Sequence, residues 1–326
     1  MKICVYGAGA IGGHVAARLA RGGAAVSVVV RGANLAAIRA NGLTVRMPDE
    51  SFTVSVAATD DPATLGPQDA VVVTAKAPAL ASVAAGIGPL LGPDTPVAFV
   101  LNGIPWWYFH GHGGPLDGQN LPRLDPDCAL ARAVGMGRVI GGVVHSPCTV
   151  VAPGVVAVTA SRNRLVFGEP DGTASPRVAA LATALSAGGM EGEATPRIRE
   201  AIWTKLSQNL AGGPVAVLTG APPLLSLAEP ECVAAARLIY AEAAAVAAAL
   251  GCPITLDVDA LIERSRGSTH KASILQDLEL GRPMEIDGIF DAPLELARRA
   301  GVPTPTLNLL VALVKVRARA AGLYGG

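Results

Sequence analysis

Residues 7–12, Gly7-Ala8-Gly9-Ala10-Ile11-Gly12, match the pattern GxGxxG directly after the apolar run KICVY and directly before a helical stretch. In that setting the pattern is a dinucleotide cradle. Gly7 permits the tight turn, Gly9 lets a pyrophosphate approach the backbone, and Gly12 lets helix and strand pack closely. Amides of the turn and the helix start, across Ala8, Ala10 and Ile11, are expected to hold the anion. The next strand ends in Arg31, and no acid follows until Asp49. A carboxylate at that place would suit the ribose hydroxyls of NAD and repel a 2′-phosphate, which a guanidinium binds in a bidentate way. NADP(H) is therefore the expected cofactor. Lys76 and Asn102 end two more apolar runs, VVVTAK and VLN. Carboxyl ends of parallel strands face the ligand crevice, so a strongly hydrated ammonium there is expected to meet the cofactor ribose or a substrate carboxylate.

A second constellation lies in IWTKLSQNLAGGPVAVLTG, residues 202–220. Lys205, Asn209 and Gly213 follow one another at intervals of four, which puts them in one row on a helix face. The row sets an ammonium and a carboxamide on an otherwise apolar helix, then loses its side chain at the third step. The histidines His110, His112, His145 and His270 have neither triad nor metal-ligand spacing, and no metal is expected.

The elements that must position these residues read as two patterns. Strands are expected at 2–6, 25–30, LTVRM, FTVSVAA, 69–76 and 95–103, with helices at 10–21, 34–41 and 79–90 between them. The runs are too uniformly apolar for surface hairpins and suit parallel strands covered on both faces. Alternating strand and helix is the doubly wound α/β pattern. Residues 110–127 read as a long loop, 137–170 as antiparallel strands joined by tight turns, and 175–188 as a helix. From Thr195-Pro196 onward the pattern is all-helical, over about 197–218, 229–250, 257–265, 271–280, 285–300 and 305–321. The expected domains are 1–195, Rossmann-like and NADP-binding, and 196–326, helical and carrying substrate and catalysis.

Composition agrees with a packed protein that has small-molecule business. Of 326 residues, 51% are hydrophobic and 16% charged, with 26 basic and 26 acidic side chains. The neutral balance gives no electrostatic reason to expect nucleic acid or an anionic membrane as partner. Cys4, Cys128, Cys148, Cys232 and Cys252 form no CxxC pair, which suits small buried hydrophobes in a reducing compartment. MKICVYGAG lacks a signal-peptide layout, and no uninterrupted apolar segment looks long enough to span a bilayer. A soluble, cytoplasmic protein is expected, and a homodimer stays open.

GAGAIG at 7–12, Lys76, Asn102, WTKLSQN at 203–209, SILQDLELGRPMEID at 273–287 and AGVPTPTLNLL near the C-terminus occur in the order seen in ketopantoate reductases, and the chain resembles that family over nearly its whole length. The resemblance implies a Rossmann domain followed by a helical domain, with the active site in the cleft between them. It implies hydride transfer from NADPH to the C2 carbonyl of a 2-oxo acid, 2-dehydropantoate, giving (R)-pantoate. Lys205 matches the family's general acid; an ammonium at the carbonyl oxygen stabilises the developing alkoxide and supplies its proton. An ordinary lysine has a pKa of about 10.4, and partial desolvation in a closed cleft would lower it. Ser273 matches the serine that contacts the substrate carboxylate. Glu285 matches the glutamate that binds the hydroxyl region and helps orient the lysine. Asn209 matches an asparagine that hydrogen-bonds the substrate, and Asn102 one near the nicotinamide and the carbonyl. Gln276 and Asp277 are assigned to structure.

Two departures bear on the substrate. The family commonly carries a second substrate-binding asparagine where this chain has Gly213, which removes a partner for the substrate hydroxyl and is expected to make room. Trp106, Trp107, Tyr108 and Phe109 follow Asn102 closely, and their types suit either the lining of a more apolar pocket or loop residues packed on the domain surface. An alternative within the class is a paralogue acting on another 2-oxo or 2-hydroxy acid. A non-catalytic NADPH-binding sensor is the alternative outside it, and it would need none of Lys205, Ser273 and Glu285.

Overall fold

Valine-rich runs and alanine-rich periodic stretches sort, in the computed structural model, into two compact units; residues 1–325 are described. One unit comprises Met1–Leu101 with Pro105–Ile198, the other Asn102–Ile104 with Arg199 onward.

The first unit runs β1 (Lys2–Tyr6), α1 (Ala10–Arg21), β2 (Ala25–Val29), α2 (Gly32–Asn41), β3 (Leu43–Arg46), β4 (Ser51–Val54), β5 (Ala57–Thr59), β6 (Ala70–Val73), α3 (Leu80–Gly86), β7 (Val97–Val100), α4 (Ala129–Val134), β8 (Val139–His145), β9 (Cys148–Ala152), β10 (Val155–Val158), β11 (Arg164–Gly168), α5 (Pro176–Ala187) and β12 (Glu191–Ala194). Its main sheet has the order β12-β11-β8-β7-β6-β1-β2-β5. Neighbours are parallel throughout except β11 against β8. Strands β6 and β7 are buried at every residue, as continuous apolar runs require when both faces are covered. The strand order leaves β1 in opposite directions, toward β2 on one side and β6 on the other. The doubly wound α/β class is thus as expected.

Three local readings change. FTVSVAA is two strands: β4 pairs antiparallel with β3 in a small second sheet, β4-β3-β10-β9, while β5 edges the main sheet. The 137–170 region is only partly antiparallel, because β8 pairs parallel with β7 and β10 parallel with β3. The short α4 and β12 were not anticipated; six and four residues are too few to show a period.

Under α1 lies a buried polar chain. Arg18 donates from Nε to His14 Nε2 at 3.3 Å, so the imidazole proton sits on Nδ1, 2.9 Å from Ser146 Oγ. Arg18 also pairs with Glu50 at 2.7 Å. Burial, and then the Arg18 charge, push the His14 pKa down to about 4. An unfolded chain binds this proton below about pH 6.5 whereas the folded one does so only near 4, so stability is full above 6.5 and falls as the pH drops through that window. Fully expressed, the loss is about 3 kcal/mol. Urea midpoints taken at pH 7 and pH 4.5 are expected to fall accordingly, and a His14→Gln variant should flatten that part of the slope.

The second unit contains α6 (Ile198–Thr219, its first residue grouped with the first unit), α7 (Pro223–Ser226), α8 (Pro230–Ala249), α9 (Val258–Arg266), α10 (Ser273–Glu279), α11 (Ala292–Arg299) and α12 (Pro305–Ala320). The four-residue α7 was not anticipated. Helix α6 stays continuous through Gly212, Gly213 and Pro214, residues of poor helix propensity, so tertiary packing must hold it. The expected helix at 285–300 is instead a π-helical segment, Asp287–Asp291, followed by α11. Tyr324 Oη donates to Asp287 Oδ1 at 3.0 Å and Asp291 Oδ2 at 2.9 Å, and Lys315 grips both Asp291 oxygens at 2.8 Å. Bonds of that kind hold a wide turn that propensity alone would not choose.

The expectation about apolar segments also needs correction. Helix α8 is long and apolar enough, by length and composition, to cross a bilayer. Its alanines outweigh the charges of Glu231, Arg237 and Glu242. Two of them have local partners: Arg237 pairs with Asp259, and Glu242 accepts the Thr306 and Leu307 amides at 2.9 Å each, capping α12.

Candidate functional site

The glycine turn sits where the main sheet reverses its order, between β1 and β6, the place at which doubly wound sheets bind ligands. Gly7 has φ +105°, and a β-carbon on it would stand 2.9 Å from the Ala75 amide nitrogen. A β-carbon on Gly12 would fall inside contact distance of Gly7 O and Thr74 Oγ1. Thr74 Oγ1 donates to Gly7 O at 2.6 Å, tying the turn to the end of β6. Nothing lies within 4 Å of the β-carbon position of exposed Gly9, the N-cap of α1, and the first turn of that helix holds no acid. Its bare amides and open approach suit a pyrophosphate. Ala8 is buried and Ala10 and Ile11 half-buried, so they can offer backbone rather than side chain.

Arg31 is exposed and caps α2, whose first turn also lacks an acid. The guanidinium opposes the upward push that burial gives the Tyr6 phenol, which places positive potential at the end of β1. Lys76 is exposed, at the start of a short 3-10 turn, Ala77–Ala79. The residues present therefore fit a dinucleotide, with exposed cations at Arg31 and Lys76.

The helical unit gathers a second set. A cavity of about 180 Å³ is walled by α6 to α10 and by the segments around them. Asn209 and Ser273 both line it, together with His270. Ser273 is exposed as the first residue of α10, and Asn209 is half-buried. Lys205 is half-buried one turn before Asn209. The His270 imidazole is held below its ordinary pKa by burial and by the Lys205 ammonium, so that charge is felt at the cavity wall. Glu285 is buried, two residues before the π-helical segment. Asn102 reaches the same segment: Ile104 N–H donates to Gly288 O at 2.8 Å, and Gly103, at φ +83°, packs so closely on Gly288 that a β-carbon would overlap its carbonyl. Thus Asn209 joins Ser273, and Asn102 joins the segment that follows Glu285. Gln276 and Asp277 make local bonds, to Lys271 O at 2.9 Å and to Arg282 at 2.9 Å.

Both substrate-related departures turn out differently from expectation. Gly213 is buried, and a β-carbon there would stand 3.1 Å from Phe290 Cζ and 3.6 Å from Ile274 Cγ2. A side chain at this position would press on the Phe290 ring, whereas neighbouring Gly212 has nothing within 4 Å of its β-carbon position. Trp106, Trp107, Tyr108 and Phe109 are 5%, 2%, 0% and 0% exposed and pack within the first unit. Trp106 meets Phe99 edge-to-face at 5.2 Å, and Trp107 covers Gly141. None of the four lines the cavity. Thr74, His270 and Phe290 were missed. Thr74 could have been found as the polar end of the VVVT run; the other two carry no sequence signal.

This layout is matched by known proteins. The family model described as ketopantoate reductase PanE/ApbA matches residues 3–172, and its C-terminal counterpart matches residues 197–318. A 2-dehydropantoate 2-reductase of Mesorhizobium japonicum is 43% identical over 326 residues, 99% of this chain and 100% of the relative. A crystal structure from Ralstonia solanacearum MolK2 superposes with a TM-score of 0.91 at 43% identity, covering 99% of each chain. That of 2-dehydropantoate 2-reductase from Methylococcus capsulatus gives 0.83 at 30% identity, covering 98% of each. With both domains matched in order, and relatives this similar along their full length, the chain belongs to the ketopantoate reductase family.

Proposed function

We propose that the protein catalyses NADPH-dependent reduction of 2-dehydropantoate to (R)-pantoate. The observation that carries this reading is the cavity shared by Asn209 and Ser273, with the Lys205 charge felt at its wall through His270. NADPH, when bound by Gly7–Gly12, Arg31, Lys76 and Asn102, supplies the hydride. Ser273 holds the substrate carboxylate and Asn209 orients the substrate by a hydrogen bond. Lys205 lies beside the carbonyl oxygen, stabilises its growing negative charge, and gives it a proton from Nζ. Glu285 steers the Lys205 ammonium and binds the hydroxyl region. Asn102 aligns the carbonyl. Loss of reduced-nicotinamide absorbance with 2-dehydropantoate tests the reading; an enzyme that binds NADPH yet turns over no 2-oxo acid would refute it.

Two expected results follow from individual residues. Replacing Arg31 by Glu puts a carboxylate where the 2′-phosphate binds. The NADPH KM should rise about 10- to 100-fold, the worth of a charge-assisted bond, while the NADH KM changes little. Steady-state kinetics with both cofactors check this. Gly103→Ala forces the 102–104 segment off Gly288 and misplaces Asn102. A displacement near 1 Å should lower kcat/KM about 100-fold, with a smaller rise in the NADPH Kd because Gly7–Gly12, Arg31 and Lys76 stay in place; fluorescence titration of the nucleotide would show the second effect.

A further inference from the structure

The cavity extends well past the residues that would hold the reacting end of a 2-oxo acid. Exposure sets its direction: Ser273 is exposed and Asn209 half-buried, whereas Ala236, Tyr240 and Ile262 are 4%, 5% and 3% exposed. The mouth is polar and the floor is made of α8 and α9 side chains. At about 180 Å³ the whole space, mouth included, is comparable with the roughly 150 Å³ of an apolar cavity known to hold benzene. The 2-dehydropantoate side chain, a quaternary carbon bearing methyls and a hydroxymethyl group, is smaller than that. On the Gly213 side the wall is apolar, lined by Ile274 and Ile289.

We infer that this site reduces 2-oxo acids with a bulky apolar side chain of benzyl size, and prefers them to 2-dehydropantoate. The inference rests on the reaction proposed above and deepens it. The carboxylate and carbonyl stay at the mouth with Ser273 and Asn209. The side chain passes open Gly212 and comes to rest among Leu227, Ala236, Tyr240 and Ile262, where its apolar surface leaves water. The chemistry is unchanged: hydride goes to C2, the C=O π electrons move to oxygen, and a proton from Lys205 completes the hydroxyl.

The test is kcat/KM with NADPH for phenylpyruvate, 4-methyl-2-oxopentanoate, 2-dehydropantoate and pyruvate. Phenylpyruvate is expected to exceed 2-dehydropantoate by about tenfold or more, the discrimination that extra apolar contacts in a pocket can supply. A higher value for 2-dehydropantoate overturns the inference and leaves the proposed reaction standing. Turnover of none of the acids, with NADPH still bound, overturns the reaction and the inference with it. Ala236→Leu fills the floor and should lower the ratio of phenylpyruvate to pyruvate kcat/KM about tenfold; Ile262→Phe does the same from α9 should the first variant not fold. An unchanged ratio in a folded variant would show that the tail does not enter this cavity.

Discussion

Lys205→Ala is expected to lower kcat by about 10²- to 10⁴-fold, the usual contribution of a positioned general acid. The side chain is half-buried, and its charge reaches the wall of the cavity that Asn209 and Ser273 line. Truncation removes both the proton donor and the cation that steadies the alkoxide, interactions stronger in the transition state than before it. NADPH affinity should stay within about threefold, because the lysine contributes to the reacting oxygen and not to the dinucleotide. Lys205→Arg keeps a cation but holds its proton more firmly and in a planar fork, so it should rescue little. Full activity in Lys205→Ala would remove the lysine from the mechanism.

Gly12→Val carries the second large effect. The new side chain would enter the space held by Gly7 O and Thr74 Oγ1, and neither atom can withdraw. Gly7 O accepts the 2.6 Å bond from Thr74, and the Gly7 amide donates to Val29 O at 2.9 Å, so the turn is fixed from two strands. The turn must deform or the helix must move off β1, and either change spoils the alignment of amides toward the pyrophosphate. The Kd for NADPH is expected to rise at least about 100-fold, about 3 kcal/mol, with a lowered Tm from overpacking. Nucleotide fluorescence and thermal unfolding measure the two effects separately. Retained affinity would mean that this turn is not the cofactor site.

These two residues also mark what the sequence made legible. Gly12 and Lys205 were found because their chemistry is local: a glycine pattern at a strand-to-helix junction, and a helical spacing of four. The buried strands were legible for the same reason, since VVVT and VAFV have no other economical place than a covered parallel sheet. The features that escaped depend on partners distant in sequence. Thr74 acts on Gly7 from across the sheet, and Phe290 meets Gly213 from another helix. A missing side chain reads as empty space until the ring pressed against its place is seen. The π-helical segment at 287–291 has no composition of its own; Tyr324 and Lys315 hold it from the chain's far end. Tryptophans at 106 and 107 suited a pocket wall or a loop packed on the domain surface equally well by type, and only burial told that they are core.

The most direct test follows the hydride itself. The protein would be mixed with NADPH carrying deuterium at both positions of nicotinamide C4 and with 2-dehydropantoate, and the product would be examined by mass spectrometry and chiral chromatography. The account expects deuterium on C2 of a single 2-hydroxy acid enantiomer, the (R) form, with one NADPH consumed for each product formed. A product without deuterium at C2, or no product from a protein that binds NADPH, would contradict it.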